Sequence, residues 1–299
     1  MKWFIWYSLF LFSLGCEKPE PAKPQPTPTP VSTPRPTPND LGIPRGFTID
    51  SIENLPKILN AVNAMPLKPS IRVVCDYPNP ASYYKKAIDA LALVSVVIIQ
   101  ISDSEYSLKM TVDQFAARTK DYVNTFPQVQ IFESPNESNM CSDCSPTKAS
   151  ELVSKQAEAS LKIIKDAGRK VMITPYWNLA DCVDGNGEYK KWHSKYIKNK
   201  ELYDYVALSV YGMDCEGRPE PSYAELDKEL DAFQVMFPNA KVMIGEYGAD
   251  AARERKYGIK RLDIMKHYLG YPRVGAGLNW YGYQDLLDIN GPMFKEFIK

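Results

Sequence analysis

Val96-Val97-Ile98-Ile99 decides the fold. Four consecutive β-branched residues favour an extended chain, and apolar side chains fall on both of its faces. A strand covered on both faces is the pattern of a parallel sheet packed between helices or curled round its own core. The run belongs to a candidate strand over residues 94–101. Similar runs occur at 46–49, 71–76, 129–133, 170–175, 204–210, 240–246 and 274–280. Helical patterns separate them. Thr111 and Gln114 form a capping box, followed by Val112, Phe115, Tyr122 and Phe126 at helical spacing. Ser145-Pro146 opens a helix carrying Leu152, Leu161 and Ile164, which Gly168 closes. Ser222 and Glu225 form a second capping box ahead of Leu226, Leu230, Phe233 and Phe237. Eight strand–helix alternations within residues 41–299 predict an α/β fold, the (β/α)8 barrel. An open doubly wound sheet is the rival, but no Gly-rich dinucleotide turn follows the first strand.

Composition narrows the function. The chain has 299 residues, with 36 basic and 36 acidic side chains and a formal net charge of zero. Without a basic excess there is little to neutralise phosphates, so nucleic acid is not an expected partner. Only His193 and His267 are present, which argues against a His-built metal or acid–base centre. The sequence shows no cofactor requirement, and a barrel of this size is expected to stand as a monomer.

Residues 1–40 read differently. Lys2 precedes an apolar run, Trp3 to Leu14, too short to span a bilayer. It ends in Leu14-Gly15-Cys16, which resembles a bacterial lipobox. That resemblance implies a signal peptide over residues 1–15, lipidation of Cys16 and a membrane-anchored place in the cell envelope. A plain secretory signal with an incidental Cys is the alternative. In residues 17–40, nine of 24 are Pro. Pro fixes φ and donates no hydrogen bond, so this linker is expected to be extended, with a reach of roughly 75 Å at about 3.1 Å per residue.

In a (β/α)8 barrel, reactive groups gather where the strands end. There the chain places Asp76-Tyr77, Ser102-Asp103, Pro135-Asn136-Glu137, Tyr176-Trp177-Asn178, Tyr211, Glu246-Tyr247-Gly248 and Asn279-Trp280-Tyr281. Carboxylates, amides and aromatic rings dominate, and no His is present. Aromatic faces stack on sugar rings, amides bond to hydroxyls, and two carboxyl groups can cleave a glycosidic bond.

Two of these stretches resemble a known family. Glu133-Ser134-Pro135-Asn136-Glu137 looks like the Glu-x-x-Asn-Glu motif of the clan A, TIM-barrel glycoside hydrolases, and Ile244-Gly245-Glu246-Tyr247-Gly248 looks like their nucleophile strand. The resemblance implies a retaining enzyme acting on β-linked glycans, with Glu137 as acid/base, Glu246 as nucleophile and Asn136 at the sugar 2-hydroxyl. It further implies that Tyr211 bonds the nucleophile and that Trp280 lies under the sugar. Trp177 is a second candidate stacking platform. Short loops suggest an open groove and endo action on a polysaccharide or oligosaccharide. A barrel that binds glycan without cleaving it is the alternative.

Three departures accompany the likeness. Ser138 follows Glu137 where the family usually has Pro, no His lies on the third strand, and no Arg closes the second. Arg72, nearer that strand's start, is a candidate partner for Glu133 inside the barrel. Among the cysteines, Cys75 in an apolar run is expected to be free and buried. Cys141, Cys144, Cys182 and Cys215 follow neighbouring strands, and export favours disulfides among them in one of three pairings. A zinc site is the other reading.

Overall fold

The computed structural model describes residues 41–140, 146–177, 189–212, 219–275, 277–278 and 280–299. The signal-like run, the Pro-rich linker, Cys16 and the four loop cysteines lie outside the described residues. Eight parallel strands form one sheet: β1 Gly46–Ile49, β2 Ser70–Val74, β3 Val96–Gln100, β4 Ile131–Glu133, β5 Lys170–Ile173, β6 Tyr176–Trp177, β7 Tyr205–Val210 and β8 Lys241–Tyr247. The principal helices between them are α1 Leu55–Asn63, α2 Ala81–Val94, the short α3 Ser104–Ser107, α4 Val112–Thr125, α5 Pro146–Asp166, α6 Tyr189–Tyr196 and α7 Tyr223–Met236. After β8 come α8 Ala251–Tyr257, α9 Arg261–Leu269, α10 Trp280–Leu286 and α11 Pro292–Phe297. Both capping boxes form: Thr111 accepts from the Gln114 amide and Ser222 from the Glu225 amide. Gly168, at φ +69°, follows α5.

Two expected strands take another form. The run 170–175 is a strand only as far as Ile173, the end of β5, and the two-residue β6 follows it; both pair with β7. Pro175 lies at the break and has no N–H to give a ladder, although its carbonyl still accepts from the Ser209 amide at 2.9 Å. The run 274–280 is not a continuous strand. Gly277 sits at φ +72°, which interrupts an extended chain, and Trp280 already begins α10. The segment nevertheless closes the sheet. Thr48 N–H donates to the Leu278 carbonyl at 2.7 Å on the β1 side, and Tyr247 N–H donates to Gly277 at 3.0 Å on the β8 side. The α/β barrel is thus completed by isolated bridges at Val274 and Leu278.

Strand alternation sorts the core into two layers. Outward positions such as Ile71, Val73, Ile99, Phe132, Val206, Leu208 and Ile244 are buried against the helices. Each such aliphatic side chain contributes about 1.5–3 kcal/mol. Inward positions Ile98, Ile131, Met172, Tyr205, Ala207 and Met243 form a separate apolar cluster, joined by Leu41 and Ile43 from ahead of β1. Cys75 is free and buried, and burial pushes its thiol pKa up. It packs as a small hydrophobe. No helix among the described residues is long and apolar enough to cross a membrane.

Candidate active site

Above the apolar plug, the next inward positions turn polar. Thr48, Arg72, Gln100, Glu133, Thr174, Ser209 and Glu246 are all at most 3% exposed. Arg72 stands between two carboxylates. Its Nη1 lies 3.4 Å from Glu133 Oε1 and its Nη2 pairs with Glu246 Oε2. Thr174 also donates to Glu133. Burial drives the Glu133 pKa upward, against the opposing pull of Arg72 and Thr174. Glu246 faces three donors: Arg72, the Tyr211 hydroxyl at 2.6 Å and, more weakly, the Ser209 hydroxyl at 3.4 Å. Such a set favours a charged carboxylate. The expected pairing of Arg72 with Glu133 is present, and the guanidinium also serves Glu246, a second contact the sequence did not indicate.

A bulge aims Glu246. Leu208 pairs with Ile244 and Ser209 with Glu246, so Gly245 is the extra residue on β8. Met243 points inward. Strict alternation from there would turn Glu246 outward, and the one-residue insertion returns it to the barrel interior. Glycine is required at the bulge because a Cβ on Gly245 would lie 2.3 Å from Ala207 Cβ and 2.9 Å from its Cα. Gly245→Ala is expected to cost about 1–3 kcal/mol by overpacking and to lower turnover as Glu246 shifts. Thermal unfolding alongside a glycosidase assay checks this. An unchanged melting temperature with unchanged turnover would show that the bulge does not hold the carboxylate.

Glu137 is set by the loop after β4. Its φ is +38°, a left-handed value that costs a non-glycine residue roughly 1–3 kcal/mol. Neighbouring contacts hold the loop in place. Ser138 N–H donates to the Thr174 carbonyl at 3.2 Å, and Met140 N–H to Glu137 at 2.7 Å. Asn139 exchanges two 2.9 Å bonds with the Tyr176 backbone. The Ser138 hydroxyl meets His193 Nε2 at 2.9 Å, while His193 Nδ1 meets the Tyr189 carbonyl at 2.7 Å. A carbonyl only accepts, so Nδ1 carries the proton and Nε2 accepts from Ser138. Burial lowers the His193 pKa to about 4, so the ring is neutral and structural. For Glu137 the shift is opposite. Burial first, then the Asp103 charge, raises its pKa to about 8, with Arg72 and Ser209 opposing. Ser104 Oγ lies 3.4 Å from its Oε2.

Glu137 and Glu246 line one cavity of about 430 Å³, together with Asn136, Tyr211, Tyr176, Gln100, Asp76 and Asp103. The structure thus brings together four of the residues singled out in the sequence: Asn136, Glu137, Tyr211 and Glu246. Trp177 is not among them. It is packed in the outer apolar core, because strand parity turns Tyr176 inward and its neighbour outward. Tyr176 is the aromatic residue delivered to the cavity, and its ring stacks on Tyr211 with centroids 6.1 Å apart. The side chain of Trp280 lies outside the described set. Gln100 was not foreseen, yet it holds an inward position on β3 paired with Glu133 on β4. Both its side-chain amide atoms, and Asn136 Oδ1, are buried without a hydrogen-bond partner. Among the described residues no three His, Cys, Asp or Glu side chains form a group able to hold a metal ion.

No family model matches the chain, and no curated protein matches it. Solved structures do. The chain is similar to a β-glucosidase from Thermotoga maritima in complex with azafagomine, at 12% identity and TM-score 0.55 over 77% of each chain. It is similar to the same organism's β-glucosidase in complex with castanospermine, at 13% identity and TM-score 0.55, again over 77% of each chain. A structure described as a family 1 β-glucosidase from Thermotoga maritima aligns at 12% identity and TM-score 0.54, with the same coverage. At these identities the likeness is one of architecture: the chain has a curled parallel α/β fold that resembles the barrel of these structures.

Proposed function

We propose that the chain is a retaining glycoside hydrolase acting on β-linked glycans, with Glu137 as acid/base and Glu246 as nucleophile. One observation carries this reading. A carboxyl group pushed toward its neutral form and a carboxylate held by Arg72, Tyr211 and Ser209 line the same cavity at the C-terminal ends of the strands. Two carboxyl groups with opposite protonation states are what acid-assisted displacement at a sugar carbon needs.

In the first step Glu246 attacks the anomeric carbon while Glu137 gives its proton to the departing oxygen. The glycosyl ester removes the negative charge from Glu246. Glu137, now ionised, takes a proton from the water that releases the sugar, and both groups return to their starting states. Asn136 and Gln100 offer amide groups to ring hydroxyls, and Tyr176 offers an aromatic face. Endo action on a polysaccharide belongs to the same proposal.

The acid role has a pH signature. With the Glu137 pKa near 8, the required proton is present below that value and lost above it. Hydrolysis of unactivated β-glycosides is therefore expected to fall as pH rises through about 8. Glu137→Gln should suppress it while sparing the first step on aryl glycosides whose leaving group needs no proton. A basic limb that stays in place in the Glu137→Gln variant would assign the acid elsewhere.

The Leu14-Gly15-Cys16 run and the Pro-rich linker support an envelope location on a lipid anchor. The mass of the mature N-terminal peptide, with Cys16→Ala as control, tests this. An unmodified Cys16 would favour simple secretion.

A further inference from the structure

The cavity is strongly one-sided in charge. Among the described residues, six carboxyl side chains line it: Asp50, Asp76, Asp103, Glu105, Glu137 and Glu246. Among the described residues the only basic side chain lining it is Arg253, which bridges Asp250 at 3.0 Å. Two carboxyl groups suffice for the displacement proposed above, and four more remain. The imbalance is local, because the whole chain is neutral.

Among the described residues, nearby cations do not offset it from within the cavity. Arg72 lies beneath the floor, paired with Glu133 and Glu246. Arg118 spends its donors on the carbonyls of Cys75, Asp76, Asn79 and Ile101. Lys109 sits over the Tyr106 ring, 4.3 Å from its centroid, and does not line the cavity. The crowding is felt at Asp76. Burial first, then the charges of Asp103, Glu105 and Asp50, raise its pKa to about 6, with Arg118 opposing.

The cavity also holds polar atoms awaiting a partner. Gln100 is 1% exposed, lines the cavity, and has neither amide atom bonded. Asn136, 4% exposed, has an unbonded Oδ1. Buried amide groups of this kind are normally satisfied, so they point to a hydrogen-bonding ligand. The surrounding acids say what charge that ligand should carry. A uronic acid or sulfated sugar would meet like charge. A neutral sugar would offer the extra carboxylates hydroxyl hydrogen bonds but no opposite charge, while a sugar bearing a free amine would add charge-assisted bonds as an ammonium.

We propose that the cleft is selective for a cationic β-linked glycan, one whose amino sugars carry free amines, with Asp76, Asp103 and Glu105 receiving the ammonium groups. This rests on the glycan-cleaving reading of the same cavity and names its substrate class. Tyr176 adds an aromatic face, which also attracts cations. Partly exposed carboxylate–ammonium pairs contribute about 0.2–1 kcal/mol each, up to roughly fivefold in affinity. Two or three together give a preference on the order of tenfold or more, weakened by salt.

The test uses a β-1,4-linked glucosamine hexasaccharide, its fully N-acetylated counterpart and a β-1,4-glucan hexasaccharide. Calorimetry on the full-length Glu246→Ala protein measures binding at slightly acid pH, low and high salt. Product release by the wild-type protein is followed on the same three sugars. The expected result is tighter binding of the glucosamine oligomer by about tenfold, loss of that advantage at high salt, and its collapse in Asp103→Asn/Glu105→Gln. Equal or tighter binding of a neutral oligomer, a preference that survives the double variant, or no binding of the amino oligomer would overturn the proposal. Release of products from the neutral glucan without cationic preference would overturn it and leave the hydrolase reading standing. Salt-sensitive binding of the amino oligomer with no product from any sugar would uphold the charge selectivity and sink the hydrolase reading.

Discussion

Replacing Glu246 with alanine is expected to lower turnover by roughly four orders of magnitude or more, about 5.5 kcal/mol of transition-state stabilisation, while the barrel stays folded. The reasoning begins with position. The β8 bulge brings Glu246 into the cavity, and Arg72, Tyr211 and Ser209 converge on its two oxygens. No other described carboxylate facing the cavity collects such a set. Removing it deletes the attacking atom and leaves nothing at that place to form the glycosyl ester. Arg72 keeps Glu133 at 3.4 Å, so the buried guanidinium is not stranded by the change. The far-ultraviolet circular dichroism of Glu246→Ala should match that of the parent protein. The first-formed anomer of the wild-type product, read by NMR, should keep the substrate's configuration. Full activity in the alanine variant would remove Glu246 from the chemistry, and an inverted first product would recast it as a base acting on water.

The barrel was legible because its strands are buried on both faces, which leaves runs such as Val96-Val97-Ile98-Ile99 that little else in the chain imitates. The same signal overreached at residues 274–280. Apolar and small residues there resemble a strand, but Gly277 adopts φ +72° and the chain closes the barrel by bridges alone. Within the cavity, Asn136, Glu137, Tyr211 and Glu246 could be picked out because barrel geometry concentrates chemistry at strand ends. What sequence could not reveal was parity. Tyr176 and Trp177 are adjacent aromatics, and only the register of β6 against β7 says that the tyrosine faces inward. Arg72 was legible only in part for a related reason. Its contact with Glu133 follows from two inward positions, whereas its contact with Glu246 depends on a one-residue bulge on a strand far along the chain. Arg118, which fixes the rim after β2 and β3, looks in sequence like any polar residue of an amphipathic helix.

The second large effect is on stability. Arg72→Met is expected to destabilise the fold by about 3–5 kcal/mol at neutral pH, the usual consequence of removing one partner from a buried ion pair. The methionine fills much of the same volume, so the loss is chiefly electrostatic. Glu133 and Glu246, at most 3% exposed, would face one another without a cation. Their charged forms would then be disfavoured in the folded state relative to the unfolded chain, where a glutamate titrates near about 4.3. The sign follows by linkage. A carboxyl whose folded pKa is raised contributes stability that is intact below the unfolded value and lost as pH rises toward the folded one. The deficit of Arg72→Met should therefore be largest at neutral pH and shrink as pH falls below about 4.3. Adding Glu133→Gln removes one of the two stranded charges and should recover part of the loss, whereas adding a distant surface substitution should not. Urea unfolding of the single and double variants across this pH range supplies the measurement. A single variant as stable as the parent at neutral pH would mean that Glu133 and Glu246 do not depend on Arg72, and the guanidinium would then be assigned to orienting the nucleophile alone.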